Sequence, residues 1–400
     1  AAGIEFPGWD PTTSSLLAEL DLAEEGIRHL LEEGGALRQE CVGELVHLLV
    51  GAGEVGAFGA GVGDVERGAT GEFALDVEAP LPDVAFLAVG LEAPYADGRR
   101  GGGADDAMIV AAEVGAVDLP RLFDKDALTE IRAGMDEHAV LVFRNQTFTN
   151  DEQLAFAERF GPVEKERTLD PKATPSRFDG AFSDISNLTA DGKIWAADSR
   201  QRMYKAGNKL WHTDSSFKRL PALTSLLHAR TTVPIGGHTE FADQRAAYDA
   251  LPESDKKAFE GFIVEHWIAT SRQRSGFHDF NEDERRRLPP VPQMLVRTIP
   301  QSRRKSLYVA SHAGRIYGMP DAEGRALIDR LLDHVTQRQF VYTHRWRPNE
   351  LVMWDNRCTM HRGTDYDDLR YVRDMRRVTV SDIANTCEQA GVTAPVSVAA

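Results

Sequence analysis

Cysteine is scarce in this 400-residue chain. Cys41, Cys358 and Cys387 are odd in number, widely scattered and form no Cys-x-x-Cys pair, which argues against a disulfide framework and for a reducing cytoplasm. Long apolar runs are missing too. None approaches the roughly 20 residues that span a bilayer, and the best candidate, "CVGELVHLLVGAG", is short and carries Glu44. The opening "AAGIEFPGWD" lacks the basic stretch followed by an apolar one that marks a secretory signal. Positive charge is in deficit, and a net charge of -16 disfavours nucleic acid or an anionic membrane as partner. What remains is ordinary for a soluble globular protein, with 42% hydrophobic and 27% charged residues, enough for one large domain or two ordinary ones.

The deficit is local. Residues 1–107 hold 21 of the 62 acids but 5 of the 46 bases, so the rest of the chain is neutral. The same stretch holds 19 of the 34 glycines, while the first methionine is Met108, the first lysine Lys125 and the first asparagine Asn145. Two kinds of polypeptide are joined here. Residues 14–33 predict a helix with a serine cap, and "ALRQECVGELVHLLV" a second short one. The glycine-rich stretches after them have the composition of flexible linkers. Residues 1–107 are therefore expected to be an acidic, poorly ordered extension, with a small regulatory or docking module as the alternative; a start near Met108 suits the composition break. The main domain is expected over 108–385 and a tail over 386–400.

From 108 onward the text is regular. "MIVAAEVGAVDL" predicts one or two strands and "AVLVFR" a buried one. "DKDALTEIRAGMDEH" predicts a helix with Leu128, Ile131 and Met135 on one stripe, and "TNDEQLAFAERFGP" a helix capped at Thr149 or Asn150 and stopped by Gly161-Pro162. Strands are expected at 224–232, 262–269, 295–299, 306–310, 339–344, 350–354 and 375–381, with helices at 243–260 and 320–336. Strands clustered rather than alternating with helices point to an antiparallel α+β or jelly-roll core.

Twelve histidines set the search for chemistry. A His-x-acid pair on a strand places both side chains on one face. With 62 acids in 400 residues, 12 histidines give about two such pairs by chance, and two occur: "HTD" at 212–214 and "HTE" at 238–240. The first is flanked by Trp211 and Phe217; the second follows a Pro-x-Gly-Gly turn, where a polar pair is expected on structural grounds. A distal histidine must complete a metal site, and His361 follows the expected strand "ELVMWDN". Beyond it, Arg373 and Arg377 fall on the same strand face as Met375. Two guanidiniums facing one cavity are costly without anions, so anionic ligands are expected there.

"LWHTDSSF", "GGHTEFADQRAAYDALP", "SLYVASHAGRIYGM", "QFVYTHRWRPNELVMWDNRCTMHRG" and "RDMRRVT" together resemble the taurine dioxygenase superfamily of Fe(II)- and 2-oxoglutarate-dependent dioxygenases, most of all its 2,4-dichlorophenoxyacetate dioxygenase branch of the alpha type. The resemblance runs from about residue 110 to 382; residues 1–107 have no counterpart in it. It implies a double-stranded β-helix (jelly roll) with flanking helices, and Fe(II) held by His212, Asp214 and His361. Such a facial triad leaves open positions on the iron for 2-oxoglutarate and O2. It further implies that Arg373 and Thr239 hold the distal carboxylate of 2-oxoglutarate, since arginine makes a bidentate pair that lysine does not reproduce. Arg377 would clamp the acidic group of the primary substrate, and the backbone N–H of Ser216 would touch that substrate. The loop "TDYDDLRYV" carries one more residue than the family pattern, which makes Arg376 the alternative clamp. His228, His266, His312 and His344 are expected to pack or to support the ligands, and Trp354, Asp355 and Asn356 to shape the approach to His361. Residues 162–185 are expected to contribute to the substrate pocket; that branch's substrate-facing lysine has no clear counterpart, Lys165 and Lys172 being out of register.

The expected function is hydroxylation of a small carboxylate, foremost an aryloxyalkanoate such as 2,4-dichlorophenoxyacetate, with ether cleavage to a phenol and glyoxylate. An alkylsulfonate (taurine-type) dioxygenase and a non-catalytic metal- or anion-binding protein are the alternatives. The expected partner is a small molecule, with a homo-oligomer left open.

Overall fold

The computed structural model describes residues 85–89, 111–115, 117–122, 124–165, 177–178 and 180–395, all within one unit, Pro82–Ala400. The helices expected at 14–33 and in "ALRQECVGELVHLLV" lie outside the described residues, as does the rest of the expected extension apart from strand β1 (Ala85–Val89).

Next in order come β2 (Ala111–Gly115), α1 (Lys125–His138), β3 (Val140–Phe143), α2 (Asn150–Ala157), β4 (Ser183–Asp184), α3 (Arg200–Lys205), β5 (Ala222–Thr231) and β6 (Thr239–Asp243). They are followed by α4 (Gln244–Asp249), α5 (Glu253–Phe259), β7 (Ile263–His266), α6 (Ile268–Arg274), α7 (Glu282–Arg287), β8 (Val291–Met294), β9 (Val296–Thr298), β10 (Lys305–Leu307) and β11 (Ala313–Ile316). The last are α8 (Asp321–Val335), β12 (Val341–His344), β13 (Leu351–Asp355), β14 (Thr359–Gly363), β15 (Asp374–Ser381) and α9 (Thr386–Gln389). The fold is α+β.

Local chemistry explains the first helices. Asp124 caps α1 by accepting from the Asp126 N–H, and the stripe Leu128, Ile131 and Met135 is buried. Thr149 and Glu152 form a reciprocal capping box at the start of α2, satisfying two N–H groups that a helix start otherwise leaves unpaired. The helix expected over 243–260 is instead two, α4 and α5, with Pro252 between them; its ring cannot donate to the preceding turn and clashes with the carbonyl four residues back.

Strands assemble in the order β1-β2-β3-β13-β5-β15-β4 into the main sheet, and β12-β6-β14 into a smaller one. Side-chain alternation divides the core between the two faces of the main sheet. Leu141, Phe143, Leu351 and Met353 point into a cluster with residues of α1 and α2. Val140, Val142, Val352 and Trp354 point the other way, against Phe241 and Tyr342 of the smaller sheet. Because both faces are covered, "AVLVFR" and "LVMWD" are continuous apolar runs rather than alternating ones.

Several strands escaped prediction. β6, β8, β11 and β14 are each 4 or 5 residues long with polar residues interspersed, too short for periodicity to register. His361 follows the expected strand, β13, and sits in the middle of a further strand that was not expected, β14. The segment expected as a tail begins with α9, where Cys387 is fully buried and Thr386 Oγ1 donates to Gln293 Oε1 at 2.6 Å; residues 396–400 lie outside the described residues. Among the described residues no helix is long and apolar enough to cross a membrane.

Candidate active site

His212 and His361 lie 149 positions apart in sequence and directly opposite each other in space. An isolated antiparallel bridge joins them: the His212 N–H donates to the His361 carbonyl at 2.9 Å, and the His361 N–H returns the bond at 2.7 Å. Their rings stand 4.2 Å apart, centre to centre. Three residues past His212 the chain turns at Ser215, held at φ 53, a left-handed conformation uncommon outside glycine. The turn leaves Asp214 Oδ2 at 3.8 Å from His361 Nε2. One ligand atom from each of the three residues falls within 4.8 Å of the others, and all three residues are buried.

Protonation suits a cation. His212 Nδ1 donates to the Leu210 carbonyl at 2.7 Å; a carbonyl can only accept, so Nε2 keeps its lone pair. Burial pushes the His212 imidazole down to about 4 against the pull of Asp214, and burial together with the neighbouring His212 lowers His361 well below its ordinary value. For Asp214, burial opposes ionisation, but Arg377 and the two histidines outweigh it and hold the carboxyl at about 2. Two neutral imidazoles and one ionised carboxylate are the protonation states that metal binding requires, so the donor set fits a divalent iron.

A cavity of about 490 Å³ opens at this cluster, and His212, His361, Thr239, Arg373 and Arg377 all line it. Arg373 is buried, and burial lowers its guanidinium to about 10. Its Nη1 reaches only the Ile185 carbonyl, at 3.5 Å, and its Nε has no hydrogen-bond partner. No carboxylate among the described residues pairs with it. Thr239 Oγ1 accepts from Trp346 Nε1–H at 2.9 Å, which leaves the hydroxyl proton free to donate. A buried cation without a counter-ion, beside a free O–H, is suited to an anionic ligand.

The loop between β14 and β15 sets where Arg373 points. Asn187 Nδ2 donates to the carbonyls of Asp368 at 2.7 Å and Tyr371 at 2.8 Å, and Asn187 Oδ1 accepts from the Arg373 N–H at 2.9 Å. Arg202 grips the Asp368 carboxylate with two N–H groups at 3.0 and 2.9 Å. Gly236, at φ +74, lets the backbone pass this loop: a Cβ there would lie 2.2 Å from the Asp365 carbonyl oxygen. The loop before Arg373 is thus pinned from both Asn187 and Arg202.

The other expected residues are less uniform. Arg377 Nη1 is paired with Asp214 Oδ1, and its Nη2 lies 3.4 Å from Ser183 Oγ. Arg376 Nη1 donates to Asn150 Oδ1 at 2.6 Å, and the side chain stacks on Phe178, away from the cavity lining. Ser216 is fully buried, its Oγ bonded to His266 Nδ1 at 2.9 Å, and it does not line the cavity. His228, His312 and His344 are buried and bonded to Gln146, Ser271 and Glu350. From 162–185, Ile185 reaches the cavity; Lys165 is exposed and Lys172 lies outside the described residues. Sequence reasoning missed Asn187, Trp346, Trp195, Met203 and Phe277. The last three line the cavity, yet lone apolar residues between charged ones carry no signal of their own.

The chain is similar to known proteins over most of its length. Residues 100–379 match the model of the family described as "Taurine catabolism dioxygenase TauD, TfdA family". Over 277 residues the chain is 46% identical to an alpha-ketoglutarate-dependent 2,4-dichlorophenoxyacetate dioxygenase of Cupriavidus pinatubonensis, covering 69% of this chain and 96% of that protein. It is 35% identical to an (S)-phenoxypropionate/alpha-ketoglutarate-dioxygenase of Sphingobium herbicidovorans, over 64% of this chain and 86% of that one. Among solved structures it resembles AAD-2 in complex with Mn(II) and N-oxalylglycine, with a TM-score of 0.67 and 46% identity over 69% of this chain and 96% of that one.

Proposed function

The chain belongs to the TauD, TfdA family of dioxygenases, and from that premise we propose that it cleaves aryloxyalkanoates such as 2,4-dichlorophenoxyacetate at a centre held by His212, Asp214 and His361. It is an oxidoreductase that takes Fe(II), 2-oxoglutarate and O2. One observation carries the assignment of residues: the buried His-Asp-His cluster and two arginines converge on one cavity. In this reading the sheets form a double-stranded β-helix around that cavity.

The iron, when bound, supplies activation of O2 coupled to decarboxylation of 2-oxoglutarate. The protein's own residues orient the reactants and exclude water. Arg373 and the Thr239 hydroxyl hold the distal carboxylate of 2-oxoglutarate, with Trp346 turning the hydroxyl proton away from itself. Arg377 is shared between Asp214 and the substrate carboxylate, which sets the carbon next to the ether oxygen toward the metal. Ile185, Trp195, Met203 and Phe277 receive the aryl ring. Hydroxylation beside the ether oxygen gives a hemiacetal that collapses to a phenol and glyoxylate, while 2-oxoglutarate becomes succinate and CO2.

A carboxylate and a sulfonate both satisfy Arg377, so the test runs phenoxyacetates and taurine in parallel and measures succinate. Succinate and phenol formed in equal amounts from phenoxyacetates, with taurine idle, is the expected result; coupled turnover of taurine alone returns the alkylsulfonate reading. Cytoplasmic location rests on the sparse cysteines, of which Cys358 and Cys387 are free and buried. The activity is assigned to residues 108–385, so a chain beginning at Met108 keeps its turnover although it lacks edge strand β1.

A further inference from the structure

Asp214 ends a chain of hydrogen bonds that begins at an indole. Trp354 Nε1–H donates to Asn356 Oδ1 at 3.0 Å, and the Asp214 backbone N–H donates to the same oxygen at 3.1 Å. Both groups can only donate, so the Asn356 amide has one orientation, oxygen toward them. Its Nδ2 then donates to Ser225 Oγ at 2.9 Å. Ser225 has a single proton, and it goes to Asp214 Oδ2 at 2.7 Å. The backbone of Asn356 is held in turn: its carbonyl accepts from Thr213 Oγ1 at 2.8 Å and its N–H donates to the Leu223 carbonyl at 2.9 Å. Every member is buried, with Asn356, Ser225 and Thr213 fully so, and water does not compete for these bonds.

The register of the main sheet makes this possible. Trp354 of β13 stands opposite Ser225 of β5, so a side chain two residues past Trp354 meets Ser225 just beyond the strand end. A free carboxylate rotates about its last bond and offers a cation either oxygen or both. Here Arg377 holds Oδ1, and a fixed donor on Oδ2 removes the freedom that remains. We propose that Asn356, acting through Ser225, is a positioning residue that sets the rotation of the Asp214 carboxylate and thereby the tightness with which the site holds a divalent cation. The proposal rests on the reading of His212, Asp214 and His361 as metal ligands. Its direction is set by the obligate donors at the far end, so the relay works one way: Asn356 acts on Ser225, and Ser225 on Asp214.

The test is calorimetric titration of the chelator-stripped full chain with Mn(II), which reads affinity without turnover. Ser225→Ala and Asn356→Ala are each expected to weaken Mn(II) binding about 10- to 100-fold. The double variant is expected to be no weaker than the weaker single, because both substitutions cut one relay. Residues that merely support the fold would lower the melting temperature of the stripped protein and leave Mn(II) affinity unchanged; that result overturns the proposal, as does a double loss equal to the product of the single ones. Should Asn356→Ala fail to fold, Ser225→Ala decides alone, since it removes one oxygen atom. His212→Ala is the control. Undiminished Mn(II) binding in that variant overturns the ligand assignment itself, and the proposal with it.

Discussion

The tripeptides His212-Thr213-Asp214 and His238-Thr239-Glu240 carry almost the same side chains in the same order, yet the fold uses them differently. In the first, the outer two residues face the cluster with His361, while Thr213 bonds the backbone of Asn356. In the second, His238 and Thr239 both line the cavity with Arg373, while Glu240 is turned aside to pair with Arg362 at 2.7 Å. Thr239 and Glu240 belong to strand β6 and point to opposite faces, whereas His212 makes only an isolated bridge and Asp214 follows it in a turn. Thr239 stands opposite Gly363 in β14, two residues beyond His361, which brings its hydroxyl to the cavity, while the pairing of Glu240 with Arg362 leaves no carboxylate there to join His238. Equivalent composition thus yields a metal-binding pattern in one place and an anion-binding one in the other.

The largest test of this contrast exchanges alanine into each histidine. His212→Ala is expected to lower succinate formation about a thousandfold or more, since loss of a metal ligand forfeits several kcal/mol of barrier lowering, whereas His238→Ala stays within about threefold. Equal losses would erase the distinction. Arg373→Ala and Thr239→Ala come next, as removal of a charged or charge-assisted bond costs about 1.5 to 3 kcal/mol, or roughly 10- to 100-fold. The loss is expected in the KM for 2-oxoglutarate, with the KM for phenoxyacetate unmoved.

Titration sharpens the same comparison in the metal-free protein. Burial holds His212 neutral down to about 4. A histidine depressed in this way stabilises the fold above its unfolded value of about 6.5, and the contribution is lost as pH falls through that value toward the folded one. Asp214, depressed to about 2, contributes in a lower window, lost as pH falls below about 3.8. Melting curves of the stripped protein should therefore fall from pH 6.5 to 4, and His212→Gln should flatten that slope more than His238→Gln does. The smallest effects belong to the supports: Trp346→Phe and Asn187→Ala remove hydrogen bonds worth about 0.5 to 1.5 kcal/mol each. Both are expected to raise the KM for 2-oxoglutarate about 3- to 10-fold and to leave Mn(II) affinity alone, which separates them from Ser225 and Asn356.

Much of this was legible before any coordinates. Helices α1 and α2 follow from the apolar stripe Leu128, Ile131 and Met135 and from the cap expected at Thr149 or Asn150, which the structure gives to Thr149. The buried strands follow from runs such as "VLVF" and "LVMW", long and apolar enough to register. Strands β6 and β14, which carry Thr239 and His361, did not register, because 5 residues of mixed polarity form no period. Pro252 broke an expected helix for a reason visible in hindsight. Ser216 was expected to offer its backbone N–H to the substrate; the bond that holds its side chain to His266 was not foreseen.

The sequence by itself determined the residue types, their spacing and the local elements: a His-x-Asp, a later histidine and an arginine pair four apart. Only the tertiary structure decided which His-x-acid pair joins His361, how Asn187 pins the loop before Arg373, and how Asn356 reaches Asp214 through Ser225. The reason is physical. Local sequence sets which side chains share a face, but strand register sets which way that face looks, and register is a sum of contacts between residues a hundred or more positions apart.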